Sequence, residues 1–239
     1  MAGELWTVDL GLVEYREAYD LQTRVRAARQ AEAIPDTLLT LEHPPVYTRA
    51  RRSYPGELGM GEAWYRERGI DIVDTDRGGR LTYHGPGQLV GYPIMRIEDV
   101  LACVATMEQA LVAALRDAGL PGTRGRSGDG REFTGVWIDD RKIASIGLHV
   151  SRGVTTHGFA VNVDNDLQPF NWVVACGLPE VRMTSVTKET GTGEHLDCFR
   201  KRMAFRLAEA LGRRQRLVSR ARLAAALAET PAAVGALRN

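Results

Sequence analysis

Two side chains of this 239-residue chain could together do covalent chemistry, Cys176 and Lys142. Cys176 ends a polar stretch (Asn165–Asn171) followed by Trp172-Val173-Val174-Ala175, and Gly177 comes directly after it. That glycine leaves room for a substrate and supplies an unencumbered backbone N–H. Lys142 interrupts an otherwise apolar run, where a charge needs a reason. A free thiol with a pKa of about 8.5 is only roughly a few per cent thiolate at neutral pH. A neighbouring ammonium stabilises the thiolate and lowers that pKa. Alternatively, a desolvated neutral lysine takes the thiol proton as general base. Either state suits acyl transfer. Each residue alone also has an ordinary explanation: a cysteine as a small core hydrophobe, and a lysine snorkelling to solvent from a hairpin edge.

Other polar candidates are weaker. His84, His149 and His157 lie in strand-like segments and could join Cys176 around zinc. Structural zinc ligands come in closely spaced pairs, however, and the chain has neither C-x-x-C nor H-E-x-x-H. His84-Gly85 and His157-Gly158 read better as polar groups bordering a pocket. No G-x-S-x-G elbow is present. The glycine-rich stretch Asp76–Ile94 is no P-loop, because no Gly-Lys-Ser/Thr follows, and no dinucleotide fingerprint, because no helix opens on it. It reads as a hairpin with generous turns, or as a loop whose glycines let backbone approach a ligand. Arg77-Gly78-Gly79-Arg80 is the one weak phosphate-binding candidate.

The elements that must position Cys176 and Lys142 form a β-meander. Three apolar runs, Gly135–Ile138, Ile143–Val150 and Val154–Val163, are separated by the turn-rich breaks Asp139-Asp140-Arg141 and Ser151-Arg152-Gly153. Before them the pattern predicts a strand at Trp6–Leu12, an amphipathic helix over Glu14–Ala33 ended by Pro35, and a buried strand at Thr37–Glu42 stopped by His43-Pro44-Pro45. Arg49–Gly61 is a polar loop, read either as solvated or as a basic lid or docking surface for an acidic partner. A short helix at Glu62–Arg68, a strand at Ile70–Thr75, a helix over Glu98–Ala118 carrying Cys103 in its core face, and a flexible loop at Gly122–Gly130 follow. After the meander come a strand at Val186–Thr190 and an amphipathic helix over Glu194–Leu211, with Cys198 as a structural residue. The expected organisation is one catalytic domain over residues 1–214 and a helical tail over 215–239.

Composition narrows the class. The chain is 44% hydrophobic with a formal net charge of +1, which fits one large globular domain and gives no footprint for nucleic acid. Three cysteines at wide spacing are no disulfide framework, which points to a reducing, cytoplasmic compartment. The N-terminal stretch has no signal-peptide pattern, and no apolar run approaches the roughly 20 residues of a membrane span.

Several segments together resemble a known family: Leu41-Glu42-His43-Pro44-Pro45-Val46-Tyr47-Thr48, Arg77-Gly78-Gly79, Thr82-Tyr83-His84-Gly85-Pro86-Gly87-Gln88, Lys142-Ile143-Ala144-Ser145-Ile146-Gly147, His157-Gly158 with Asn162, Cys176-Gly177 and Thr184-Ser185. In this order and spacing, from Leu41 to Gly191, they are similar to the lipoate-pathway octanoyltransferases. That resemblance implies an α+β fold of the biotin/lipoyl protein ligase type, with a mixed β-sheet flanked by helices. It implies octanoyl transfer from octanoyl-acyl carrier protein to a lysine on lipoyl domains of 2-oxoacid dehydrogenase complexes and on the glycine cleavage H protein, by a monomer without cofactor or metal. It maps the nucleophile onto Cys176 and the base onto Lys142. Acyl binding maps onto Arg77, Gly78, Gly79, Arg80, Leu81, Thr82, Tyr83 and His84, onto Ser145, Ile146 and Gly147, and onto Gly158, Phe159 and Ala160, with His157 and Gly177 in support. The chain departs from the family pattern at Arg49-Ala50, where Leu-Gly is usual, at Arg80, where Gln or Asp is common, and at Ala175, where proline often precedes the cysteine. An ATP-dependent lipoate or biotin ligase on the same fold, and a carrier-binding protein without turnover, remain as alternatives.

Overall fold

The computed structural model describes residues 3–130, 133–175, 181–193 and 195–229. In chain order these form β1 (Glu4–Leu12), α1 (Tyr15–Gln30), β2 (Asp36–Glu42), β3 (Val46–Arg49), α2 (Glu62–Arg66), β4 (Asp71–Asp74), β5 (Thr82–His84), β6 (Gln88–Ile94), α3 (Val100–Asp117), β7 (Thr123–Gly125), β8 (Gly135–Ile138), β9 (Arg141–Ser151), β10 (Val154–Asn162), β11 (Arg182–Met183), α4 (Val186–Thr190), α5 (Leu196–Ala210), β12 (Arg214–Leu217) and α6 (Arg220–Glu229).

Among the described residues the strands make a nine-stranded mixed sheet, ordered β12-β1-β2-β6-β10-β9-β8-β7 with β11 also on β9, and a three-stranded sheet ordered β4-β3-β5. The large sheet is covered on both faces, and the alternation of side chains along each strand divides its residues between two cores. Leu38 of β2, Leu89 of β6 and Phe159 and Val161 of β10 face α3 and α5. Their neighbours Leu39, Val90 and Ala160 face α1 and α6. The small sheet carries a third cluster rich in aromatics, in which Tyr47, Tyr65, Tyr83 and Phe170 pack with Leu81 and Ala175. This is the expected α+β arrangement of a mixed sheet flanked by helices. No described helix is long and apolar enough to cross a membrane.

The meander forms as its turn signals predict, β8, β9 and β10 pairing antiparallel in succession. Four local expectations are corrected. The Asp76–Ile94 stretch is not a hairpin: β5 pairs with β3 in the small sheet, while β6 lies between β2 and β10 in the large one. Gly85-Pro86-Gly87 is thus the crossing from one sheet to the other. Val186–Thr190 is a helix rather than a strand. Ser185 caps it, accepting a hydrogen bond from the Lys188 N–H at 3.2 Å, and Gly191 ends it in the left-handed region. Gly122–Gly130 contains the edge strand β7, whose Arg124 pairs with Trp137. Cys198 is exposed rather than structural, whereas Cys103 is buried as expected. Within the stretch read as a tail, β12 adds in parallel to β1 at the sheet edge and α6 packs on α1.

Candidate active site

A cavity of about 280 Å³ opens where β9 and β10 of the large sheet face the small sheet, close to the lower end of ordinary small-ligand pockets, on the order of 300–1,000 Å³. Thirteen sequence-predicted residues line it: Arg77, Gly79, Arg80, Thr82, His84, Lys142, Ser145, Ile146, Gly147, His157, Gly158, Phe159 and Ala160. Three others stand behind the wall. Gly78 donates its N–H to the Leu148 carbonyl at 2.8 Å, joining the Arg77–Gly79 turn to β9. Leu81 and Tyr83 belong to the aromatic core. Cys176 and Gly177 lie outside the described residues. Arg52, from the loop weighed as a basic lid, also lines the cavity, as do Tyr15, Val90, Tyr92 and Thr134, which were not picked out beforehand. For Tyr92 the available signal was its place four residues after Gln88 on the strand that leaves the glycine-rich crossing. Tyr15 and Thr134 carried none.

Lys142 is buried, 3% exposed, and still lines the cavity. Its backbone lies in β9 between Trp137 of β8 and Met183 of β11, and its Nζ stands 5.2 Å from the centre of the Trp137 ring. Among the described residues no carboxylate forms an ion pair with it. Its stem lies against Gly135, which adopts a φ of 133°. A Cβ at that position would stand 2.9 Å from Lys142 Cε and 2.3 Å from the Ala144 carbonyl oxygen. Gly135→Ala therefore combines backbone strain of about 1–3 kcal/mol with displacement of the lysine. It should lower turnover by roughly tenfold or more at unchanged cavity chemistry, and steady-state kinetics at wild-type level would remove Gly135 as the lysine's support.

The approach to Cys176 is pinned from the small-sheet side. Tyr47 OH donates to the Pro169 carbonyl at 2.6 Å, Tyr65 OH donates to that of Trp172 at 2.7 Å, and the Val174 N–H donates to the Glu57 carbonyl at 3.0 Å. Glu57 belongs to the Arg49–Gly61 loop, and its fully buried carboxylate lies 2.8 Å from Arg80 Nε. The loop is thus held to a cavity-lining arginine and to the segment entering Cys176, with Arg51 and Arg52 exposed and Arg52 at the cavity. On the far side of the undescribed residues, Met183 is in register with Lys142, and the Thr184 N–H donates to the Lys142 carbonyl at 3.0 Å.

Beneath the cavity burial favours the neutral form of His43, His84 and His157, and the partners of the first two define their tautomers. His43 Nδ1 faces the Val13 carbonyl at 2.7 Å, so it carries the proton, and Tyr92 OH donates to Nε2 at 2.7 Å. Burial pushes His43 down to about 4, and burial likewise holds His84 well below the ordinary histidine range. The three histidines weighed as zinc ligands do not converge: His84 Nδ1 bonds Gln88, while His149 and His157 both turn to Asp76, at 3.6 and 2.7 Å. The hydrogen bond from His157 lowers the Asp76 carboxyl to about 2. Arg77, buried beside them, donates to Thr48 O and Oγ1 at 2.8 and 2.7 Å.

These histidines make folding sensitive to acid. The folded pKa of His43 lies below its unfolded value, so on acidification the unfolded chain takes up the proton first. The associated stability is intact above about pH 6.5 and is lost as pH falls toward about 4. His43 alone accounts for on the order of 3 kcal/mol. Denaturant melts should show stability falling across this window, and a folded His43→Gln variant should show a shallower fall, with the remainder left to His84 and His157; an unchanged slope would remove His43 as a contributor.

Residues 14–208 match the lipoyl protein ligase A/B catalytic domain family. An octanoyltransferase of Corynebacterium jeikeium is 41% identical over 216 residues, covering 85% of each chain. One of Mycobacterium ulcerans is 46% identical over 197 residues, covering 76% of this chain and 78% of its own. Among solved structures, a bipartite lipoate protein ligase of Thermoplasma acidophilum superposes with a TM-score of 0.70 at 18% identity, over 96% of this chain and 91% of its own, which is a likeness of fold. The chain belongs to the lipoyl protein ligase A/B catalytic domain family, on its octanoyltransferase branch.

Proposed function

We propose that this protein transfers an octanoyl group from octanoyl-acyl carrier protein to the ε-amine of a lysine on lipoyl domains, through a thioester on Cys176 with Lys142 as base. The observation that carries the reading is Lys142: a buried lysine that lines an acyl-sized cavity and pairs with no carboxylate among the described residues. The tie between Thr184 and Lys142 supports it, since the chain returning from Cys176 is fastened to the lysine's strand.

In the first half-reaction the Cys176 thiolate attacks the thioester carbonyl, and the oxyanion is held by backbone N–H groups, among which Gly177 is the candidate. The C–S bond to the carrier breaks, the departing carrier thiolate takes the proton of the Lys142 ammonium and leaves as the thiol, and octanoyl–Cys176 remains beside a neutral lysine. In the second, the acceptor amine attacks this thioester, Lys142 takes the amine proton, and the Cys176 thiolate departs. Exchange of one thioester for another is nearly balanced, and amide formation then runs downhill, so the scheme calls for no ATP. Burying the acyl chain against Val90, Tyr92, Ile146 and Phe159 contributes about 0.8 kcal/mol per CH₂. The acceptors are lipoyl domains of 2-oxoacid dehydrogenase complexes and the glycine cleavage H protein, and the site of action is the cytoplasm.

The test is an intact mass of the protein mixed with octanoyl-acyl carrier protein, without ATP or acceptor. A gain of one octanoyl group, labile to hydroxylamine and passed on to an added lipoyl domain, is expected. Transfer that begins only with ATP would instead favour the ligase reading. Acyl binding is tested at Gly147, where a Cβ would meet the Gly78 carbonyl oxygen at 2.9 Å and Arg77 Cδ at 3.5 Å. Gly147→Val pushes the Arg77–Gly79 wall away and should reduce adduct formation by roughly tenfold or more. Full octanoyl transfer by this variant would move the acyl chain elsewhere.

A further inference from the structure

The cavity wall and the tie between Thr184 and Lys142 are joined by one continuous run of buried hydrogen bonds. His84 Nδ1 donates to Gln88 Oε1 at 2.7 Å. Gln88 Nε2 spends its two hydrogens on the Tyr83 carbonyl at 3.2 Å and on Asn162 Oδ1 at 2.9 Å. Asn162 Nδ2 donates to the Thr184 carbonyl at 3.0 Å, and the Thr184 N–H donates to the Lys142 carbonyl. Only one assignment of the two amides satisfies every partner. Turning Gln88 over would set its oxygen against the Tyr83 carbonyl, and turning Asn162 over would set its oxygen against that of Thr184. The network therefore fixes the proton of His84 on Nδ1 and leaves Nε2 as an acceptor on a ring that lines the cavity.

Thr184 is where the chain returning from Cys176 is fastened to β9. The ladder there is short: β11 contributes only Arg182 and Met183, opposite Arg141 and Lys142. A slip of one residue in so short a pairing would turn every side chain to the other face. Asn162 lies on β10, a central strand of the large sheet, and clasps the Thr184 carbonyl from a side that the ladder does not use. Thr184 Oγ1 donates to Glu189, which in turn accepts from Arg141 at 2.8 Å beside Lys142. Thr184 is thereby held at its N–H, its carbonyl and its hydroxyl.

We infer that Asn162 is a positioning residue for the transfer reaction: through Thr184 it sets the register of the Cys176 segment against Lys142, and through Gln88 it orients His84 at the cavity. The inference rests on the Cys176–Lys142 reading above. It predicts that loss of the Asn162 amide loosens the thiol–lysine geometry without touching either group.

The experiment measures alkylation of Cys176 by iodoacetamide against pH in the full-length protein. Peptide mass spectrometry keeps Cys103 and Cys198 separate, and thermal melts report folding. Wild type is expected to react with a thiol pKa below the ordinary value, and Lys142→Met to move that pKa up. Asn162→Ala should move it up in the same direction and slow octanoyl–Cys176 formation by up to about 100-fold, the scale of a 1 Å misplacement. Asn162→Asp keeps the volume and the acceptor toward Gln88 but lacks the donor to Thr184, so it should shift the profile likewise and decides the matter if the alanine variant does not fold. A folded Asn162 variant with the wild-type alkylation profile, beside a shifted Lys142→Met, would overturn the positioning role and leave the dyad standing. No shift in Lys142→Met would sink the dyad reading, and this inference with it.

Discussion

Cys176→Ala should abolish the octanoyl adduct and lower overall transfer by roughly a thousandfold or more, the scale seen when a nucleophile that works as a unit with its partners is removed. Without the sulfur there is no covalent relay, and the acceptor amine must meet the carrier's thioester directly. Cys176→Ser separates the readings further. A serine hydroxyl is ionised far less than a thiol at neutral pH, so activation by a lysine adequate for cysteine leaves it a poor nucleophile. It should form an octanoyl ester slowly, if at all, and transfer should stay depressed. An ATP-dependent ligase would use the cysteine only as part of a pocket wall and would tolerate serine with near-wild-type turnover. Single-turnover mass measurements on both variants therefore distinguish a covalent enzyme from an adenylating one on the same fold. The family's structural neighbours alone do not make that distinction, since the likeness at 18% identity is one of fold.

Much of the frame was legible in the sequence because its signals are local. The Asp139-Asp140-Arg141 and Ser151-Arg152-Gly153 breaks mark the two turns of the meander, and Asp139 and Arg152 both adopt positive φ there. Once a strand is assigned, its geometry alone sends neighbours such as Leu38 and Leu39, or Leu89 and Val90, to opposite faces. What was not legible is pairing at a distance. Nothing in Thr82–His84 or Gln88–Ile94 announces that one strand joins the small sheet and the other the large. Val186–Thr190 opens on a β-branched residue and reads as a strand, and the decisive signals were the flanking Ser185 and Gly191. Of the cavity wall, the segments carrying Arg77, Ser145 and Gly158 came with the family likeness. Tyr15 reaches the cavity from the first turn of a helix whose periodicity shows a buried face but not what that face meets. Leu101 shows the same limit from the other side: it falls at helical spacing with Val104, Leu111 and Leu115 along α3 and is nonetheless exposed. The run from His84 to Lys142 needs five residues spread over a hundred positions, and no spacing rule reports it.

Lys142→Met should separate stability from activity in opposite directions. The methionine keeps the unbranched stem that packs against Gly135 and below the Trp137 ring, and it removes the cost of holding an ammonium in a buried site. Among the described residues no carboxylate would be left without its partner, so the usual penalty for breaking a buried pair does not arise. The melting temperature is expected to stay or to rise, as it commonly does where a site trades stability for activity. Activity should collapse nonetheless. With no cation or base beside it, the thiol of Cys176 returns toward its ordinary pKa of about 8.5, and the second half-reaction loses its proton acceptor, a contribution of about 10²–10⁴. The two half-reactions then respond differently to pH. Adduct formation in Lys142→Met should recover as pH rises through the thiol's own ionisation, because hydroxide takes over the removal of that proton. Transfer from octanoyl–Cys176 to a lipoyl domain should stay slow until pH approaches the range where the acceptor lysine deprotonates unaided. A variant that melts lower than wild type, or one that recovers both steps together at alkaline pH, would mean that Lys142 serves the fold or the thiol alone and is not the base of the second step.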